Sequence, residues 1–177
     1  PDWLQQRLKA IGLRPISVLV DITNYMTFTY GRPLHVFDAQ KLTGNITVRY
    51  AKDGETLAAL NDKEYTLASD MVAVCDESGV VGLGGIIGGT ATGCSDETTD
   101  VFLEAALFDP IHIASTGRAL AIDSDARYRF ERGVDPEFVQ KGAEIAVAMI
   151  LELCGGTASA LTIAGAIPQW KRDVAFA

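Results

Sequence analysis

Asn45-Ile46-Thr47-Val48-Arg49-Tyr50 is where the hydrophobic period of this chain becomes two. Ile46, Val48 and Tyr50 alternate with polar residues, which places the apolar side chains on one face of an extended strand. Downstream, Thr56 to Leu60 and Tyr65 to Leu67 flank a turn at Asn61-Asp62-Lys63. Met71 to Cys75 and Val80 to Ile87 flank a second at Asp76-Glu77-Ser78-Gly79. Val101 to Leu107 reads as a further apolar strand, broken by a single acid, Glu104.

On either side of this region the period lengthens to that of a helix. Asp2 is placed to cap a first helix with a stripe of Trp3, Leu4, Leu8 and Ile11, stopped by Gly12. Ser17 opens a second, with Leu19, Ile22, Tyr25 and Met26 on one face, ended by Gly31 and Pro33. Residues 31–38 follow as a structured loop, with Asp38 capping one more turn. Asp109-Pro110 starts a helix running to about Ala121, since proline suits the first helical position. Asp135-Pro136-Glu137 opens the longest helix, which ends near Cys154 at Gly155-Gly156. Ala158 to Ala166 and Val174 to Phe176 read as late strands. Helices at both ends around a strand-rich middle of mixed or antiparallel sheets define an α+β single domain, not a βαβ alternation. Its expected extent is 1–167, with 168–177 a strand or linker leading onward. A start at Pro1-Asp2 without methionine reads as a piece of a longer polypeptide.

The chain has 177 residues, with 15 Lys plus Arg against 23 Asp plus Glu and a formal charge of −8. That balance argues against a domain whose main task is gripping a phosphate backbone, DNA included, because such affinity comes from clustered Lys and Arg. A small pocket receiving one nucleotide end remains compatible with it. Cys75, Cys94 and Cys154 lie far apart with no CxxC, so neither a zinc ribbon nor a thioredoxin-type motif is available, and a reduced, cytoplasmic setting is expected. Apolar stretches are interrupted by Gly or charge before about twenty residues, too short for a membrane span.

Several motifs carry possible chemistry. Gly82-Leu83-Gly84-Gly85-Ile86-Ile87-Gly88-Gly89 lacks glycine where a dinucleotide fingerprint needs it, at Ile87, and no Gly-Lys-Ser/Thr follows. It is either a close-packed strand edge or a bare backbone wall for a ligand. Two histidines, His35 and His112, leave no multi-histidine metal site, and Asp123-Ser124-Asp125 lacks the rest of a calcium loop. His112 suits packing or solvent, whereas His35, in a proline-containing loop after a helix, can be aimed into a cleft. Glu104 either faces solvent from an edge strand or enters a pocket, where it would need a hydrogen-bond partner. Arg118, Arg127, Arg129 and Arg132, interleaved with Tyr128 and Phe130, form either a salt-bridged surface or a small positive ledge. No GxSxG and no local Cys/His signature supports a covalent nucleophile.

Taken in order, Arg14-Pro15-Ile16, Val20-Asp21-Ile22-Thr23-Asn24-Tyr25 and Gly31-Arg32-Pro33-Leu34-His35-Val36-Phe37-Asp38 form a specific pattern. Gly85-Ile86-Ile87-Gly88-Gly89, Leu103-Glu104-Ala105-Ala106 and Arg129-Phe130-Glu131-Arg132-Gly133-Val134-Asp135-Pro136 complete it. From about Trp3 to Ile167 the chain resembles the B3/B4 domain of the bacterial phenylalanine–tRNA ligase β subunit. The resemblance implies an editing module that hydrolyses tyrosine wrongly attached to tRNA(Phe). It implies Thr23, Asn24 and His35 along one side of the pocket as catalytic residues, with Gly85 and Gly88 as a glycine wall. Glu104 is implied to face the tyrosine ring, with Ser124 and Ala126 closing the other side. Ser124 stands where the family often has threonine, and Arg127 where a small residue is usual. The implied partners are the 3′ end of aminoacylated tRNA(Phe), the remaining β-subunit domains and an α subunit, in a heterotetramer of two α and two β chains. ATP and Mg²⁺ would act outside this chain, and no cofactor or metal is expected within it. The alternative is a non-catalytic B3/B4 module that binds a small ligand or serves as a structural interface.

Overall fold

The computed structural model describes residues 1–169 and 173–176. The N-terminal layer is helical. Helix α1 (Asp2–Ala10) buries Leu4 and Leu8, one turn apart, against Ile22 and Met26 of α2 (Val18–Tyr30) and Ala146 of α5 (Phe138–Cys154). Ser17 accepts a hydrogen bond from the Val20 N–H at the start of α2, and Gly31 ends it in the left-handed region at φ 62°, which glycine adopts without a Cβ penalty.

The strands make three antiparallel sheets among the described residues. Strand β1 (His35–Asp38) pairs with β8 (Val101–Glu104), with His35 opposite Glu104 and Phe37 opposite Phe102. A four-stranded sheet runs in the order β2 (Thr47–Tyr50), β5 (Val72–Asp76), β6 (Gly79–Leu83) and β7 (Ile87–Gly88). Strands β3 (Thr56–Ala58) and β4 (Glu64–Thr66) form a hairpin. The main core lies between hairpin, four-stranded sheet, α3 (Pro110–Ala119) and α4 (Asp125–Phe130). There Leu57, Tyr65, Leu83, Phe108, Ile113 and Phe130 are all buried.

The β1–β8 ribbon is held from both sides. Leu103 packs into the α1–α2–α5 cluster, while Phe37 packs on Val74 and Val81 of the four-stranded sheet. Arg32 locks the ribbon's open end. Only 1% exposed, it donates from Nη1 to the Ala106 carbonyl at 2.9 Å and from Nη2 to the Asp135 carbonyl. Its stem lies against Gly142 of α5, where a Cβ would come within 2.9 Å of Arg32 Cγ. Burial lowers the Arg32 pKa, and the nearby Asp135 opposes that shift. Arg32→Lys keeps the charge but loses the two-pronged donor geometry. We expect a loss of roughly 2 kcal/mol, readable as a lower denaturant midpoint, because a buried acceptor is left unpaired. An unchanged midpoint would show that the clamp contributes nothing.

Several expectations need correction. Residues 35–38 are a strand, because β8 supplies a ladder for a segment read as loop. The stretch from Val80 to Ile87 is two strands, since Gly85 at φ 67° turns the chain between them. Asp2 lies inside α1; Pro1 occupies the cap position without a side-chain bond. Asp135 accepts from the Glu137 N–H at 2.9 Å, and α5 begins only at Phe138. Helix α4 was not expected at all. Residues 158–166 and 174–176 are exposed and form no strand, having no partner strand among the described residues. Of the segment 168–177, residues 170–172 and 177 lie outside the described residues.

Candidate functional site

Alternation along β1 puts His35 and Phe37 on one face, and the register brings Glu104 and Phe102 to the same face. The imidazole packs edge-on against Phe37, with centroids 4.3 Å apart and planes at 80°. Below it lies β7: a Cβ on Gly88 would overlap the His35 ring, so glycine is what lets the imidazole settle there. Gly88 is therefore a wall in a specific sense, the floor under the histidine.

Burial sets the electrostatics of the pair. His35 Nε2 is buried without a hydrogen-bond partner in the structure, and burial pushes the His35 pKa down to about 4. At neutral pH this imidazole is uncharged. Glu104 is half-buried, and desolvation pushes its carboxyl up to about 7. Each shift has burial as its cause, not a charged neighbour. A carboxyl poised near neutrality and a neutral imidazole thus stand side by side across the ribbon. Perturbed pairs of this kind concentrate at functional sites.

The other expected residues divide into three groups. Thr23 and Asn24 are half-buried in the middle of α2, which packs on β1. The Thr23 hydroxyl already donates to the Val20 carbonyl at 2.8 Å, so only its lone pairs remain to offer. Ser124 caps α4, accepts from the Arg127 N–H at 3.1 Å and donates to the Ile86 carbonyl at 2.7 Å. It thereby ties α4 to the turn between β6 and β7, without needing the methyl group of a threonine. Ala126 packs on the main core. Gly85 is accounted for by packing: a Cβ would press on Phe108, Ile113 and Phe130. Within the glycine turn, the N–H groups of Gly84, Ile86 and Gly89 already donate to Val72, Leu83 and Val81. They are not available to a substrate carbonyl.

Arg127 is turned toward α3. Its guanidinium donates to the Ile122 carbonyl at 2.5 Å and pairs with Glu131 at 3.0 Å, with its stem against Gly117 of α3. Three of the four arginines are salt-bridged, Arg129 pairing with Asp125 and Arg132 with Glu131; Arg127 and Arg129 are half-buried, and Arg118 and Arg132 are exposed. His112 is a surface residue beside Asp109, as its sequence context implies. Two residues escaped sequence reading. Phe37 buttresses His35, and its signal was the two-residue spacing from that histidine. Arg32 gave no local signal, because its partners lie 74 and 103 residues away. Among the described residues no cluster of three or more His, Cys, Asp or Glu could hold a metal ion. None of the described helices is long and apolar enough to cross a membrane.

A half-buried acid and a neutral imidazole thus share one face of a two-stranded ribbon, over a glycine, in an antiparallel α+β domain. The chain belongs to the B3/4 domain family, whose model matches residues 1–155. It is 62% identical over 177 residues to the phenylalanine–tRNA ligase β subunit of Rhodospirillum rubrum, covering 99% of this chain and 22% of that protein. It is 60% identical over 174 residues to the β subunit of Paramagnetospirillum magneticum, covering 98% of this chain and 22% of that protein. With the Brucella abortus β subunit the identity is 58% over 176 residues, again 99% and 22%. The chain thus spans about a fifth of the length of these relatives. A crystal structure of an N-terminal fragment of the Pyrococcus horikoshii phenylalanyl-tRNA synthetase β-subunit matches 48% of this chain and 32% of its own, at 21% identity and a TM-score of 0.42.

Proposed function

We propose that this chain, residues 1–167 above all, is the editing module of a phenylalanine–tRNA ligase β subunit. It hydrolyses the ester of tyrosine mistakenly joined to tRNA(Phe). The observation that carries the reading is Glu104, a desolvated carboxyl without a charged partner, facing the same way as a neutral histidine.

The physical logic starts in the synthetic site. An apolar pocket shaped for phenylalanine rejects an added hydroxyl only about a hundredfold. A second pocket can demand that hydroxyl instead. Tyrosine brings a phenol that donates to the Glu104 carboxylate, a charge-assisted bond. Phenylalanine would leave the acid desolvated and unpaired, which disfavours its binding. The correct product escapes because it lacks one oxygen.

An aminoacyl ester is already activated, so a positioned water and a stabilised carbonyl oxygen suffice. His35, uncharged and with a buried Nε2 that has no hydrogen-bond partner, is suited to hold that water, with Asn24 and Thr23 orienting the amino acid or ribose. The bond broken is the ester C–O; water supplies hydroxyl to the acyl carbon and a proton to the ribose oxygen. Bulk affinity for tRNA would come from the rest of the β subunit and from an α subunit, where ATP and Mg²⁺ chemistry would also reside. The acidic charge of this chain suits a module that meets only the tRNA terminus.

The test uses the intact α–β ligase incubated with tyrosyl-tRNA(Phe) and, separately, phenylalanyl-tRNA(Phe). Rapid loss of the tyrosyl ester with the phenylalanyl ester spared is the expected result. Decay of both at the spontaneous rate would leave only a non-catalytic module.

A further inference from the structure

Ser124, Tyr128 and Arg132 stand in a column on one side of α4 and its exit. The Tyr128 N–H donates to the Ser124 carbonyl at 2.9 Å, and Arg132 Nη1 donates to the Tyr128 carbonyl at 2.7 Å. The foot of the column is fixed to the turn between β6 and β7, which leads into Gly88 under His35, because the Ser124 hydroxyl holds the Ile86 carbonyl. One turn higher, about 6 Å along the axis, the Tyr128 ring is 54% exposed. The Arg132 guanidinium lies over its face, 3.7 Å from the centroid. Alongside, Arg129 covers the exposed ring of Phe28 at 4.4 Å and donates to the Thr27 carbonyl at 3.0 Å, tying α4 to α2. Phe28 is one turn beyond Asn24 on α2.

A rim of two exposed rings, each with a guanidinium on it, thus stands one turn from Ser124 and from Asn24. Tyr128 buries little in this position, so core packing does not explain it. From Asp125 to Arg132 three arginines face two acids, one positive charge in excess within a chain of net charge −8. Aromatic and guanidinium planes accept any base by stacking, because every base presents a π-face. A protein partner seeking an aromatic anchor would find this ring already occupied on one face by a charged group.

The geometry points to Tyr128, backed by Arg132, as a stacking platform for a base of the single-stranded RNA 3′ end whose terminal ester enters the cleft. This rests on the editing reading and adds to it where the RNA lies. The ester is held at His35 and Glu104 while a base just upstream is clamped at the rim. The rim thereby contributes affinity and direction without touching the reacting atoms.

The experiment compares the intact ligase with Tyr128→Ala and Tyr128→Trp. For tyrosyl-tRNA(Phe), Tyr128→Ala is expected to lower kcat/KM on the order of tenfold or more, carried by KM. Tyr128→Trp, which keeps a stacking plane, should stay near the parent. Hydrolysis of a tyrosine ethyl ester, which has no base, should be the same in all three. Parent-like hydrolysis of tyrosyl-tRNA by Tyr128→Ala overturns the proposal, as does an equal fall on both substrates, which would mark a merely structural ring. Weakened subunit assembly with unchanged RNA kinetics overturns it too, in favour of a protein contact. Should the parent fail to hydrolyse the tyrosyl ester, the editing reading falls, and the platform is then judged by binding alone. A short single-stranded RNA ending in CCA must bind the parent more tightly than Tyr128→Ala; equal affinities overturn the platform.

Discussion

Replacing Glu104 by alanine in the intact ligase is expected to collapse the preference for tyrosyl over phenylalanyl ester by a factor of roughly 10² to 10⁴. A site that satisfies a substrate hydroxyl with a buried polar group rejects the analogue lacking it by about 10⁴–10⁵ in favourable cases. Removing the acid removes both the attraction for tyrosine and the penalty against phenylalanine. The change should therefore come from both sides, with hydrolysis of the tyrosyl ester falling and the sparing of phenylalanyl-tRNA weakening. Glu104→Gln is the sharper control. The amide oxygen still accepts from a phenol but without charge, so about a tenfold loss of preference is expected. The readout is the ratio of kcat/KM for the two esters. An unaltered ratio in Glu104→Ala would remove Glu104 from specificity and leave the cleft with no means of telling the two rings apart.

The sequence made some of this plain because the signals were local. Ser17 and Gly31 bracket α2, and Asp109-Pro110 starts α3, with Asp109 accepting from the N–H groups of Ile111 and His112 at 3.0 Å each. The strands around 76–79 announce themselves by period and turn. The acid inside an apolar strand was visible as an anomaly. What stayed hidden was long-range. Strand β1 exists only because a segment more than sixty residues later pairs with it, and His-Val-Phe-Asp after a proline carries no strong strand signal alone. Hence the histidine and the acid could be nominated separately, while their placement opposite each other could not be read. The missing late strands show the converse. Residues 158–166 have the alternation, but a strand is a pairing and the described residues offer it no partner. Helix α4 was missed because a six-residue helix has too few turns to show a period.

The desolvated pair also makes a thermodynamic prediction with opposing signs. Glu104 moves from an ordinary value of 4.5 up to about 7 in the fold. As pH rises from 4.5 to 7, the unfolded chain ionises this acid while the folded one keeps its proton. Stability is therefore lost with rising pH, by about 3 kcal/mol in all. His35 moves from 6.5 down to about 4. As pH falls from 6.5 to 4, the unfolded chain takes up a proton that the folded imidazole refuses. Its penalty therefore appears with falling pH and is of similar size. Between 4.5 and 6.5 the two slopes are equal and opposite, so in the parent they cancel. Each single variant unmasks the other limb. In Glu104→Gln, stability relative to the parent should rise with pH across this window; in His35→Asn it should fall. Asp38, Asp76, Asp109 and Glu131, whose pKa values are lowered in the fold, give an acid limb common to every variant, so it drops out of the differences. Denaturant midpoints of the 177-residue chain at four pH values between 4.5 and 7.5 measure this. The double variant, flat relative to the parent, closes the cycle. Parallel profiles for the two single variants would mean that neither group is desolvated in the fold. The neutral imidazole and the demanding acid on which hydrolysis and selection depend would then be lost together.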